Sequence, residues 1–106
     1  MTVRELTLSQ AAVSYGGTLL RPDCHFRQVS TDSRTLVSGD LFVALRGAHF
    51  DAHKFLPDVA PKAGGLVVQY PDTRLEVPQW VVPDTTLALG QLAALAGAPH
   101  RWRPFL

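Results

Sequence analysis

Apolar residues in this chain come in short bursts separated by polar, turn-forming stretches, and the spacing inside each burst differs. Leu8, Ala11, Ala12 and Tyr15 recur at intervals of three and four, which places them on one face of a helix over residues 8–15. Thr7 stands before that run and Gln10 three residues beyond it, the pattern of a capping box, while Gly16-Gly17 provide the left-handed stop. Thr18-Leu19-Leu20 predicts a short strand ended by Arg21-Pro22-Asp23, and residues 26–30 predict a second. Residues 31–40 are polar and turn-rich, closing on Ser38-Gly39-Asp40.

Two later bursts do not alternate at all. Residues 41–45 (Leu-Phe-Val-Ala-Leu) and 66–68 (Leu-Val-Val) are apolar at every position, as in strands covered on both faces. Between them a polar loop leads to a helix starting near Ala52, which carries Phe55, Leu56 and Val59 inward and is ended or kinked by Pro61. A Pro-bearing loop over 71–78 precedes a last strand at 80–82. Asp84 then caps a helix whose apolar residues include Leu87, Leu89, Leu92 and Leu95. Strands alternating with helices at this spacing predict an α/β fold, a small mixed or mainly parallel sheet flanked by about three helices.

Composition narrows the function more than the fold. A chain of 106 residues is one domain, and 46% hydrophobic against 18% charged residues marks it as globular. The net charge is +1 with Lys and Arg scattered among Asp and Glu, so no basic stripe is available for nucleic acid. Apolar runs fall far short of a membrane span, and the first five residues lack the layout of a secretory signal. A single cysteine, Cys24, forms no internal disulfide and has no activating neighbour, which makes the cytoplasm the default compartment and Cys24 a structural thiol. Residues 98–106 carry Pro, Trp102 and Phe105 without any period and are expected to be a linker or truncated junction following a domain over 1–97.

Two loops could carry chemistry. Ser30, Thr31, Asp32, Ser33 and Arg34 follow one strand; Arg46, Gly47, Ala48, His49, Phe50, Asp51 and His53 follow, or lie just beyond, the buried strand at 41–45. In α/β sheets ligands lie beyond the carboxyl ends of the strands. Arg34 and Arg46 offer planar forks for phosphate oxygens, the hydroxyls suit a ribose or a base edge, and Gly47 allows close backbone approach. A second reading stays open for the first loop: a capped turn in which Asp32 and Ser33 bond local amides and Arg34 stands in solvent. His49 and His53 have a helical metal-ligand spacing but lack the accompanying Glu and any further ligand, so no metal is expected. Asp51 and His53 could form an acid–base pair, although no nucleophile accompanies them; the alternative is that Asp51 is a helix cap and His53 fixes the loop. No Gly-x-x-x-x-Gly-Lys-[Ser/Thr] run occurs, so these residues contain no P-loop.

Residues 29–34 (Val-Ser-Thr-Asp-Ser-Arg), 39–47 (Gly-Asp-Leu-Phe-Val-Ala-Leu-Arg-Gly) and 50–55 (Phe-Asp-Ala-His-Lys-Phe) together resemble the N-terminal domain of the Mur ligases. Phe-Asp-Ala-His points to the branch of that family that adds D-alanyl-D-alanine. Residues 82–93, from Val82 to Ala93, resemble the family's strand-to-helix stretch before the ATP domain, so the likeness runs from about Leu6 to Ala96. The helix end at Pro61 and the short interval 62–65 depart from the family's longer, Ala-rich version. The resemblance implies a domain that holds the uridine diphosphate end of a UDP-N-acetylmuramoyl peptide, with substrate contacts at the twelve loop residues named above. It implies no cofactor for this chain. ATP and magnesium serve a central domain that makes an acyl-phosphate, so this chain is expected to be inactive alone and to partner the missing ligase domains. The alternative is a standalone interaction or regulatory module that keeps the fold and docks through Trp102, Phe105 and Leu106; a small hydrolase built on His49, Asp51 and His53 is a third reading.

Overall fold

The computed structural model describes residues 6–21, 23–26 and 28–96. In chain order its elements are β1 (Leu6–Thr7), α1 (Leu8–Tyr15), β2 (Thr18–Leu20), β3 (His25–Phe26), β4 (Val29–Ser30), β5 (Leu41–Val43), a 3-10 turn (Ala52–Phe55), α2 (Leu56–Val59), β6 (Gly65–Val68), β7 (Gln79–Val81) and α3 (Thr85–Ala96). Five strands form one sheet in the order β2-β7-β6-β5-β4, and β1 pairs with β3 in a separate two-stranded sheet. The four strands β4 to β7 run parallel, while β2 closes the edge antiparallel to β7. The result is the mixed, mainly parallel α/β fold expected, with three helices.

The non-alternating strands are covered on both sides, as their composition requires. Leu41, Val43, Val67 and Trp80 share one face with Leu8 and Ala11 of α1, Leu89 and Leu92 of α3, and Leu6 and Phe26 of the small sheet. Phe42, Ala44, Leu66 and Val68 share the other with Leu36, Ala52, Leu56 and Val59. Burying each side chain of this size contributes about 1.5–3 kcal/mol, so the two layers fix which residue of each strand faces which helix.

Polar ties then lock the layers. Thr85 is fully buried at the start of α3, and its Oγ1 donates to the Ala44 carbonyl oxygen at 2.8 Å, pinning the helix to the end of β5. Asp84 accepts from the amides of Thr86 and Leu87, the expected cap. The Thr7–Gln10 capping box is present in full. Asp23 adds a second cap to α1 by accepting from the Ser9 amide. Burial pushes the Asp23 carboxyl up, but hydrogen bonds from Ser9 and Cys24 outweigh it and leave it below its ordinary range. Cys24 is buried, and burial together with the Asp23 charge pushes its thiol up to about 12, which makes it the structural thiol expected.

Several boundaries differ from expectation. Residues 26–30 do not form one strand: β3 and β4 belong to different sheets. The helix near Ala52 begins as a 3-10 turn, and only one α-helical turn follows, with Pro57 in its first positions where a missing N–H does no harm. Leu56 and Val59 are buried, but Phe55 is half-buried, and Tyr15 of α1 is exposed. The expected strand at 80–82 is shifted by one residue to Gln79–Val81. Residues 98–106 lie outside the described residues.

Gly17 is a stringent position. Its φ is +83°, and an added Cβ would meet the Val81 carbonyl oxygen at 2.6 Å and Trp80 Nε1 at 2.7 Å. Trp80 is itself anchored there, its Nε1 donating to the Gly16 carbonyl oxygen at 2.8 Å. Gly16 has a similar φ of +88° but open space around it. Gly16→Ala should therefore cost roughly 1–3 kcal/mol of backbone strain, and Gly17→Ala distinctly more, as read from urea unfolding midpoints. Equal losses in the two variants would show that the Trp80 contact contributes nothing.

Candidate functional site

An open cleft of ≈ 840 Å³ lies beyond the carboxyl ends of β4 and β5. Ser30, Thr31, Asp32, Ser33 and Arg34 line one wall, and Arg46, Gly47 and Phe50 line the other. The two loops picked out in the sequence therefore meet, because parallel pairing of β4 with β5 brings their ends side by side. Val29, Thr35, Phe42, Leu45, Ala52 and Phe55 complete the lining, giving it an apolar floor that sequence patterns had assigned only to the core. Phe50 is half exposed and its ring centroid lies 6.2 Å from that of Phe55. Ala48, His49, Asp51 and His53 are not among the lining residues.

The first loop is largely satisfied by itself. Ser30 Oγ accepts from the Asp32 amide and donates to the Asp32 carbonyl oxygen. Asp32 Oδ1 accepts from the Arg34 amide at 2.8 Å, and its two oxygens take the Arg34 guanidinium through Nε and Nη2 at 3.1 and 3.0 Å. These bonds from the Arg34 side chain, with that from its amide, hold the Asp32 carboxyl below its ordinary range. This is the capped turn of the second reading with two differences: Ser33 bonds no local amide, and Arg34, 86% exposed, is folded back on Asp32 rather than free in solvent. Thr31 and Ser33 have no hydrogen-bond partner for their hydroxyls among the described residues, so both remain open to the cleft.

The second loop is built around Asp51. A backbone bridge pairs Arg46 with Asp51, and the Gly47 amide donates to the Phe50 carbonyl oxygen at 2.6 Å, closing a tight turn. Asp51 Oδ1 caps the 3-10 turn by accepting from the His53 amide and also takes His53 Nδ1 at 2.6 Å. Its other oxygen accepts from the Tyr70 hydroxyl at 3.0 Å and lies 3.5 Å from Arg46 Nε. His53, only 6% exposed, accepts the Gln69 amide proton on Nε2 at 2.9 Å, so its proton resides on Nδ1 and the ring bridges the loop to the end of β6. Burial raises the Asp51 carboxyl, but the bonds from His53 and Tyr70 outweigh it, and the group sits below its ordinary value of 3.8. Tyr70, stacked 4.2 Å from the His53 ring, carried no signal in the sequence. Asp51 and His53 thus act as a cap and a brace, which is the role set against the acid–base pair, and the described residues hold no group of three His, Cys, Asp or Glu able to bind a metal.

His53→Ala should destabilise the fold by roughly 1–3 kcal/mol in chemical unfolding, since it strands the Gln69 amide beside a void. Asp51, with its folded pKa depressed below the unfolded value near 3.8, contributes stability that is present above that value and lost as pH falls through the folded one. Asp51→Asn should therefore flatten the fall in stability between about pH 5 and pH 2. An unchanged acid slope would mean that Asp51 is not held as described.

No protein-family model matches the chain. Over 90 residues it is 46% identical to the UDP-N-acetylmuramoyl-tripeptide–D-alanyl-D-alanine ligase of Escherichia coli, a match covering 84% of this chain and 20% of that protein. It is 42% identical over 73 residues to the UDP-N-acetylmuramoyl-L-alanyl-D-glutamate–L-lysine ligase of Staphylococcus epidermidis, covering 67% of this chain and 15% of that one. A crystal structure of MurF from Acinetobacter baumannii superposes with a TM-score of 0.76 and 37% identity, over 89% of this chain and 21% of that chain. The chain spans 15% to 21% of the length of these relatives. In both sequence and fold it therefore belongs with the N-terminal region of the Mur ligases.

Proposed function

We propose that the cleft beyond β4 and β5 holds the UDP end of a UDP-N-acetylmuramoyl peptide, and that the chain is the substrate-recognising part of a cytoplasmic peptidoglycan-precursor ligase. The observation that carries this reading is the convergence of residues 30–34 and 46–50, with Arg34, Arg46 and the free hydroxyls of Thr31 and Ser33, on one cleft with an apolar floor. An apolar floor suits a flat ring, and hydroxyls and a guanidinium at the rim suit a sugar and phosphates. The relatives' names carry the same substrate class.

In this reading, which follows the family resemblance, ATP and magnesium belong to a central domain of such a ligase. The chain has no Gly-x-x-x-x-Gly-Lys-[Ser/Thr] run, and the described residues gather no metal-binding set. Recognition is accordingly the role assigned to these residues, and activation of the peptide carboxylate falls to other parts of such a ligase.

Amide spectra of the ¹⁵N-labelled chain titrated with UDP provide the test. Saturable shifts are expected at residues 31–34 and 46–50, with little change on adding adenosine diphosphate to the same concentration. Silence in both loops at millimolar UDP, or shifts confined to other surfaces, would overturn the assignment.

A further inference from the structure

The two arginines of the cleft are held in different ways, and the difference separates their roles. Arg34 spends Nε and Nη2 on a two-pronged pair with Asp32. Arg46 comes closest to Asp51 through Nε, at 3.5 Å, and its Nη1 and Nη2 make no hydrogen bond among the described residues. Its guanidinium carbon lies 5.4 Å from the centroid of the Tyr70 ring. The hydroxyl of that same Tyr70 donates to Asp51 Oδ2, the oxygen facing Arg46 Nε.

We propose that Arg46, and not Arg34, is the cleft's anion contact, and that Tyr70 is a positioning residue that presents it to the diphosphate of the ligand. The proposal rests on the reading of the cleft as a UDP site. A carboxylate offers about four lone-pair directions. On Asp51 three of these are filled by the His53 amide, His53 Nδ1 and Tyr70, while Arg46 Nε stands at 3.5 Å as an ion-pair contact and not a hydrogen bond. Three other donors thus hold Asp51, Arg46 forms no hydrogen bond with it, and the guanidinium of this cleft-lining residue keeps its terminal nitrogens open for a ligand. Tyr70 sets the pose from both ends, its ring lying beneath the guanidinium carbon and its hydroxyl holding the carboxylate. Its own ionisation supports the same geometry: burial first, then the bond to Asp51, raises the phenol above its ordinary value, so it remains a donor at neutral pH. At the base of the arrangement, His53 and Gln69 tie the loop to the end of β6.

Calorimetric or spectroscopic titration of the full chain with UDP, uridine and inorganic pyrophosphate tests both parts. Arg46→Ala should weaken UDP by about tenfold or more, the scale of one charge-assisted contact, and leave uridine unchanged. Arg34→Ala should weaken UDP distinctly less. Tyr70→Phe and Tyr70→Leu should weaken UDP in that increasing order, again with uridine unchanged, a split that a merely structural defect would not produce. Tyr70 is 45% exposed, so both variants should fold, and their amide spectra check it. UDP binding that depends on Arg34 but not Arg46 overturns the proposal while leaving the cleft's function intact, and a dependence on Arg46 but not Tyr70 removes the positioning role. Pyrophosphate binding that requires Arg46 and Tyr70 in a chain that ignores UDP supports the anion contact and overturns the UDP reading. Failure of both ligands overturns both.

Discussion

The pair of strands β5 and β6 has no side that tolerates water. Leu41, Phe42, Val43, Leu66, Val67 and Val68 are all fully buried, and they lie next to one another in parallel. Such a pair is stable only between two apolar layers, and α1 with α3 supplies one while α2 with Leu36 supplies the other. Parallel pairing adds a second demand, since the chain must leave the end of β5 and return to the start of β6 by a crossover. Residues 44–64 make that crossover. They therefore have to carry the covering helix and, before it, the turn that forms one wall of the cleft.

That double duty explains how the second loop is built. A wall made by a crossover is positioned only as well as the crossover is anchored, and here the anchor is one carboxylate. Asp51 caps the 3-10 turn, receives His53 and Tyr70, and faces Arg46, while His53 passes the connection on to the Gln69 amide at the end of β6. The first loop needs no such anchor. It hangs between β4 and β5 and is closed by its own Ser30, Asp32 and Arg34. The cleft thus joins a self-contained turn to a turn braced against the sheet, and the brace leaves one guanidinium with open donors.

Much of this could be read directly from residue order. The first helix and its capping box are visible because Thr7 and Gln10 act on each other across three residues, a distance set by helix geometry alone. The buried strands are visible because short continuous apolar runs bounded by turn residues have few other uses in a chain of this length. Asp84 as a cap and Cys24 as an inert thiol were equally local statements. The two loops of the cleft were legible as positions after strands, and their resemblance to a ligase family located them further.

What residue order did not decide was pairing across distance. Residues 26–30 read as one strand because alternation reports which face a residue turns to the core, not which neighbour its backbone bonds to, and β3 and β4 went to different sheets. The apolar floor of the cleft read as core, since Leu45 and Phe55 become walls only once both loops stand beside each other. Tyr70 stood unnoticed for the same reason: it reaches Asp51 across 19 residues, and nothing short of the β5–β6 pairing brings the two together. Sequence by itself determined the elements, the caps and the loops where polar groups collect, because those follow from steric and hydrogen-bonding rules over a few residues. Only the tertiary structure decided which arginine keeps its donors free, because that depends on where each carboxylate's other partners come from.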